Sequence, residues 1–208
     1  RERIYMNNKK CTVMFGLLLS INLAFSGSVL ATSLSDMAKA CDECHGSKGN
    51  STDDKVPSIA GFSESSLVDM MEQYKAGDRP ADKYKPSGGE ETDMQVIAKD
   101  MSDEDISAIS AHYAKQTFKP IKQDFDAAAA KRGAEVHDKL CEKCHSEGGA
   151  NADDDAAILA GQWRGYLERQ FVLITSGERE TTKKMKKKMK KVKDEDIQPL
   201  IEFYISKQ

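Results

Sequence analysis

Cys41-Asp42-Glu43-Cys44-His45 returns one hundred residues later as Cys141-Glu142-Lys143-Cys144-His145. The same offset carries Ile59-Ala60-Gly61 onto Leu159-Ala160-Gly161, Leu67 onto Leu167, Gly77 onto Gly177 and Arg79 onto Arg179. Beyond this point the register is 91: Met94 falls on Met185, Asp103-Glu104-Asp105-Ile106 on Asp194-Glu195-Asp196-Ile197, and Tyr113 on Tyr204. So many matches in constant register mean an internal duplication. The first copy is longer between Gly77 and Met94, where Pro80 and Pro86-Ser87-Gly88-Gly89 give the composition of a surface loop.

Each copy has helical periodicity and no alternating strand pattern. Ile106, Ile109 and Tyr113 recur at helical spacing behind the N-cap candidate Ser102, and Ile197, Leu200, Ile201 and Tyr204 repeat that face. An alanine-rich helix from Phe125 to Leu140 leads into the second cysteine pair. The segment Phe118-Lys119-Pro120-Ile121-Lys122 breaks helix between the copies. The expected fold is all-α, with two tandem domains at 32–117 and 125–208 joined by a linker at 118–124.

Cys-x-x-Cys-His has a mechanical meaning. One helical turn spaces two thiols to add across the two vinyl groups of a haem, and the next histidine lies beneath the iron as its ligand. A thioredoxin-like pair wants a βαβ context that this helical chain lacks. A zinc site would draw its ligands from both ends of the repeat. A disulfide across so small a loop is a poor staple. The sequence therefore points to two covalently bound haem c groups, at Cys41, Cys44 and His45 and at Cys141, Cys144 and His145.

The repeat selects the second iron ligand. Met94 and Met185 are equivalent, whereas Met101 aligns with Val192 and Met189 with Ala98. Met94 and Met185 are the expected thioether ligands, with Met189 one helical turn from Met185 as the competitor at the second site. His112 and His137 have no histidine counterparts and read as surface or structural residues. Pro57, twelve residues after His45, is placed to offer its carbonyl to the histidine ring N–H; the second copy has Ala157 there. No nucleophile–base pair, phosphate loop or further metal site is visible, so no catalytic residue is assigned.

The chain has 208 residues, is 31% charged and only 7% aromatic, and carries a net charge of −3. Two domains of this size and polarity have small cores that a cofactor would help to hold. Lys9 and Lys10, the apolar run Thr12–Phe25 and the small residues at Val29-Leu30-Ala31 read as a signal peptide over 1–31, cleaved near Ala31. The apolar run is shorter than the ~20 residues that span a bilayer. The expected location is periplasmic, with no stable membrane anchor. The remainder is acidic overall, which argues against nucleic acid. Eight lysines nevertheless crowd Met185 between Lys183 and Lys193. They read either as a solvated face or as a surface that steers an acidic redox partner.

With these features in place, residues 32–208 resemble the dihaem class I cytochromes c. Leu140–His145 followed by Glu147-Gly148-Gly149, Ile158–Trp163 with no proline before it, the Lys-Lys-Met run ending at Met185 and the linker Lys115–Pro120 are similar to the cytochrome subunit of flavocytochrome c sulfide dehydrogenase. That resemblance implies an electron-transfer subunit, itself non-catalytic. It would take electrons from a sulfide-oxidising flavoprotein subunit that holds FAD, and pass them to a soluble c-type cytochrome. The alternative is a freestanding carrier of the cytochrome c4 class delivering electrons to a terminal oxidase.

Overall fold

The computed structural model describes residues 33–208. The export signal expected over 1–31, its cleavage point and Cys11 lie outside them. Four helices build each half: α1 Leu34–His45, α2 Glu64–Ala76, α3 Met94–Lys99 and α4 Asp103–Ala114, then α5 Ala127–Leu140, α6 Arg164–Ser176, α7 Lys183–Met189 and α8 Asp194–Ile205. Short helical turns at Ser47–Gly49, Ser146–Gly149 and Ala152–Asp154 follow the cysteine motifs. Among the described residues there is no strand; a lone antiparallel bridge joins Tyr84 to Thr92. No helix among them is long and apolar enough to cross a membrane.

Side-chain caps set most of the helix starts. Ser33, Ser63, Asp93, Ser102, Asp126 and Thr182 each accept from a backbone N–H in the first turn that follows. Ser102 is thus the N-cap read from the sequence. The helix expected from Phe125 begins at Ala127 because Asp126 takes the capping position. Gly77 and Gly177 end α2 and α6 in the left-handed conformation, at φ 84° and 81°.

The duplication is visible bond by bond. Gly49 and Gly149 each accept from the backbone N–H groups ten and eleven residues on, Ile59 and Ala60 in one half, Leu159 and Ala160 in the other. Gly61 N donates to Tyr113 O at 2.9 Å and Gly161 N to Tyr204 O at 2.8 Å. Both of these glycines sit at φ 71°, and a Cβ on Gly161 would fall 2.8 Å from the Lys207 carbonyl.

Within the first half α1 packs on α4, and α2 packs on α3 and α4; within the second, α8 packs on α5 and α6. The α5–α8 crossing is close: a Cβ on Gly133 would sit 1.9 Å from the Pro199 carbonyl oxygen. Tyr166, Leu167, Leu200, Ile201, Tyr204 and Ile205 form the second core, each such side chain contributing about 1.5–3 kcal/mol on burial. The first core gathers Ala38, Phe62, Leu67, Ile109 and Tyr113, and also takes in Ile158 from the second half.

The halves are joined by more than that one side chain. Gln162, fully buried, accepts from Ser58 N at 3.1 Å and donates to Ser58 O at 2.7 Å. Trp163 Nε1 donates to Ser51 O, and Tyr166 N to Asp54 O. The inserted loop adds a two-bond ion pair, Arg169 to Asp82, with both contacts 2.7 Å. The linker is also tied down, by Ile121 N to Gly161 O and Lys119 N to Asn50 Oδ1. The second half is therefore held against the mouth of the first site.

Candidate haem sites

The last turn of α1 delivers Cys41, Cys44 and His45 to one cavity of about 650 Å³, within the range of cofactor pockets. Met94, from the start of α3, lines the same cavity, so the four residues singled out in the first copy are brought together. Met70, Met71 and Met101 line it as well. The inserted loop closes one side with Pro80, Lys83, Tyr84 and Thr92, and the Tyr84 hydroxyl is anchored on Asp53. The loop composition was legible in the sequence; its use as a pocket wall was not.

His45 is buried, and its Nδ1 lies 2.8 Å from the Pro57 carbonyl. A carbonyl only accepts, so Nδ1 carries the proton and Nε2 is left as a free lone pair. Burial pushes His45 below its usual pKa despite that bond, which keeps the ring neutral and ready to ligate. In the second half burial likewise lowers His145. The Ala157 carbonyl faces its ring and opposes that shift, but Nδ1 is buried without a completed hydrogen bond.

The thiols of Cys41, Cys44 and Cys141 are not shifted as those of a dithiol redox centre are. Burial pushes Cys41 up to about 11, the Tyr113 hydroxyl partly offsetting it, and burial also raises Cys44 and Cys141. Redox-active Cys-x-x-Cys pairs need the opposite shift. Cys41, Cys44, Cys141 and Cys144 are all free of disulfides. Among the described residues no three His, Cys, Asp or Glu side chains cluster to hold a metal ion by themselves.

Other residues went unread in the sequence. The first variable position of each motif is a carboxylate that caps the turn behind it. Asp42 accepts from Lys48 N and Gly49 N, and Glu142 accepts from Glu147 N and Gly148 N. Lys48 and Glu147 hold φ 56°, a conformation these caps help to stabilise. In the first half the Tyr113 hydroxyl reaches Asp42 at 2.8 Å. In the second, His137 stands between the equivalents, 3.0 Å from the Tyr204 hydroxyl and 2.6 Å from Glu142. His137 is fully buried and structural; His112 is half-buried, edge-on to Tyr113.

The repeat-matched arginines meet between the halves. Arg79, 1% exposed, lines the first cavity and donates to the Tyr166 hydroxyl at 3.0 Å and to Gln170 at 3.4 Å. Arg179 donates to the same Gln170 Oε1 at 2.7 Å. Burial and then the neighbouring Arg79 push Arg179 down to about 10. Arg79 Nε and Nη1 and Arg179 Nε are buried without partners. One buried and one half-buried cation with unused N–H groups require anions, and a haem brings two carboxylates. The residues fit the cofactor that the motifs imply. The alignment of Arg79 with Arg179 was the available signal for them.

Met185 and Met189 occupy the half-buried face of α7, so the fold turns both inward. Cys141 packs against the second core, and Cys144 is exposed where Cys44 is half-buried.

Comparison with known proteins agrees on both halves. Residues 35–116 match the family model described as cytochrome c, and residues 128–203 the model described as cbb3-type cytochrome c oxidase subunit III. Cytochrome c4 of Azotobacter vinelandii is 30% identical over 151 residues, 68% of this chain and 70% of its own. The chain belongs to the cytochrome c4 family. Cytochrome c4 of Pseudomonas aeruginosa is 27% identical over 197 residues, 89% of this chain and 93% of its own. In fold, the chain resembles reduced recombinant cytochrome c4 from Pseudomonas stutzeri, with a TM-score of 0.67 at 24% identity over 84% of this chain and 97% of that one. Thiosulfate dehydrogenase TsdBA from Marichromatium purpuratum gives 0.65 at 24% identity, with 81% of this chain on 36% of that one. As a member of the cytochrome c4 family, the chain carries covalently bound haem c, one in each half, on an all-α tandem scaffold.

Proposed function

We propose that the chain is a freestanding periplasmic dihaem carrier, taking electrons singly from a donor and delivering them to a terminal oxidase. Cys41 and Cys44 would attach the first haem, with His45 and Met94 on its iron; Cys141 and Cys144 would attach the second, with His145 and Met185 on its iron. When bound, these groups supply reversible one-electron chemistry at iron. The chain's own residues do the rest. Pro57 orients His45, Arg79 and Arg179 would offer charge to the carboxylates of a bound haem, and the fused interface keeps the two sites in one body.

The observation that carries the reading is the first cavity, where Cys41, Cys44, a neutral hydrogen-bonded His45 and Met94 converge in a scaffold that the second half repeats. The likeness runs along nearly the whole length of carrier proteins, and the second half matches an oxidase cytochrome subunit model. Both favour the freestanding carrier over the FAD-linked, sulfide-oxidising assembly that the sequence resemblance implied. Isolation of the untagged protein from its native source tests the choice. Two haems per chain, no flavin and no reduction by sulfide are expected. Stoichiometric flavin with rapid reduction by sulfide would overturn the carrier in favour of the flavoprotein assembly.

A further inference from the structure

We propose that the lysine face of α7 is the docking surface through which the second half exchanges electrons with an acidic soluble redox protein. This rests on the carrier reading and goes beyond it by naming the half that faces the partner and the partner's charge.

Seven of the eight lysines between Lys183 and Lys193 are exposed. The half-buried face of α7 is Met185, Lys188 and Met189, at i, i+3 and i+4, so the charged flanks point to solvent. Few of these charges are neutralised locally. Lys186 pairs with Glu180, and Lys193 reaches Glu195 at 3.5 Å. The acidic start of α8 is drawn elsewhere: Asp196 is bound by Arg132 of α5 at 2.7 Å. Lys184, Lys187, Lys190 and Lys191 make no ion pair among the described residues.

This charge lies beside the attachment edge of the second site. Val192, within the lysine run, packs against the same core cluster as Cys141, and Cys144 is exposed. The duplicated helix of the first half shows that the fold does not require the lysines: α3 has Lys99 alone. There the inserted loop, absent from the second half, walls the cavity. One copy of the scaffold is thus walled by the loop, while the other lacks it and carries the lysine helix instead.

An acidic protein suits this face better than an anionic membrane. Surface-bound helices insert an apolar face, whereas the apolar residues of α7 are turned into the protein and the helix spans seven residues. Fixed charge around an open redox edge instead steers an encounter and raises its rate, with strong salt dependence. In the exchange one electron leaves the reduced second half and the partner gains one; no bond forms or breaks.

The test uses the full holoprotein and, as the probe, oxidised plastocyanin bearing an acidic patch. The variant is K184E/K187E/K191E, none of them a proposed ligand. A control, K48E/K115E/K119E, makes the same charge change at exposed lysines of the first half and linker. Stopped-flow oxidation of the ascorbate-reduced protein should slow by about tenfold at low salt in the α7 variant and lose most of its salt dependence. The control should stay within about twofold, with haem spectra unchanged in both. Equal slowing in both variants, or no slowing in either, overturns the docking surface. So does loss of binding to phosphatidylglycerol vesicles with electron transfer intact, which would assign the face to lipid. Fewer than two haems per chain in the unmutated protein would instead sink the carrier reading on which the proposal rests.

Discussion

The two halves share a hydrogen-bond skeleton and differ in the walls that surround their redox sites. The Gly49/Gly149 and Gly61/Gly161 bonds repeat to within about 0.1 Å. The walls do not repeat: the first site has a proline carbonyl on its histidine and an inserted loop across one side, whereas the second has Ala157, no loop and a lysine helix. Duplication fixed the backbone geometry that holds a Cys-x-x-Cys-His turn, because that geometry tolerates little change. The side chains around it were free to diverge, and that divergence makes the two sites chemically unequal.

The largest effect expected from breaking this comparison is loss of one site alone. His45→Ala should leave about one haem per chain by pyridine haemochrome assay, with the second half still reducible; loss of both would show that the sites are not separable. Next comes Gly133→Val, which drives a side chain into the Pro199 carbonyl at the α5–α8 crossing. It should destabilise the second half by about 3 kcal/mol in denaturant titrations and leave the first half near its original midpoint.

Glu202→Gln should cost about 2 kcal/mol, again in the second half only, because Arg164 donates to both Glu202 oxygens and the corresponding first-half residues are Ala111 and Glu64. The Arg164 guanidinium holds Glu202 below its usual range. Its contribution is therefore complete above the unfolded carboxylate pKa of about 4.3, and is lost as pH falls through the lower folded value. Unfolding midpoints measured from pH 7 to 3 should fall less steeply in the variant. The smallest change expected is from Ala157→Pro, which stiffens the second half's carbonyl toward the form that Pro57 has in the first. If it completes the bond to His145 Nδ1, the more basic ring favours oxidised iron and lowers the potential of the second site; an unchanged potential would show that Pro57 is not what separates the sites.

The fold was legible because its signals are local and repeated. The motif offset, the cap at Ser102 and the helical faces ending at Tyr113 and Tyr204 all need only neighbours in sequence. The Pro57 carbonyl was legible for the same reason, twelve residues from its histidine. What stayed hidden depends on contacts across the chain. Nothing local marks Gly133 as a helix crossing or Gln170 as the bridge between Arg79 and Arg179. His137 read as surface or structural because it lacks a counterpart; its place between Tyr204 and Glu142 depends on α5 meeting α8.

Spectroelectrochemical titration of the intact holoprotein tests the central claim of one carrier with two unequal sites. Two one-electron waves are predicted, with the second-half site, whose histidine lacks the completed bond and whose surroundings are positive, reduced at the higher potential. A single wave in which both haems titrate together, or the lower potential in the second half, would contradict it.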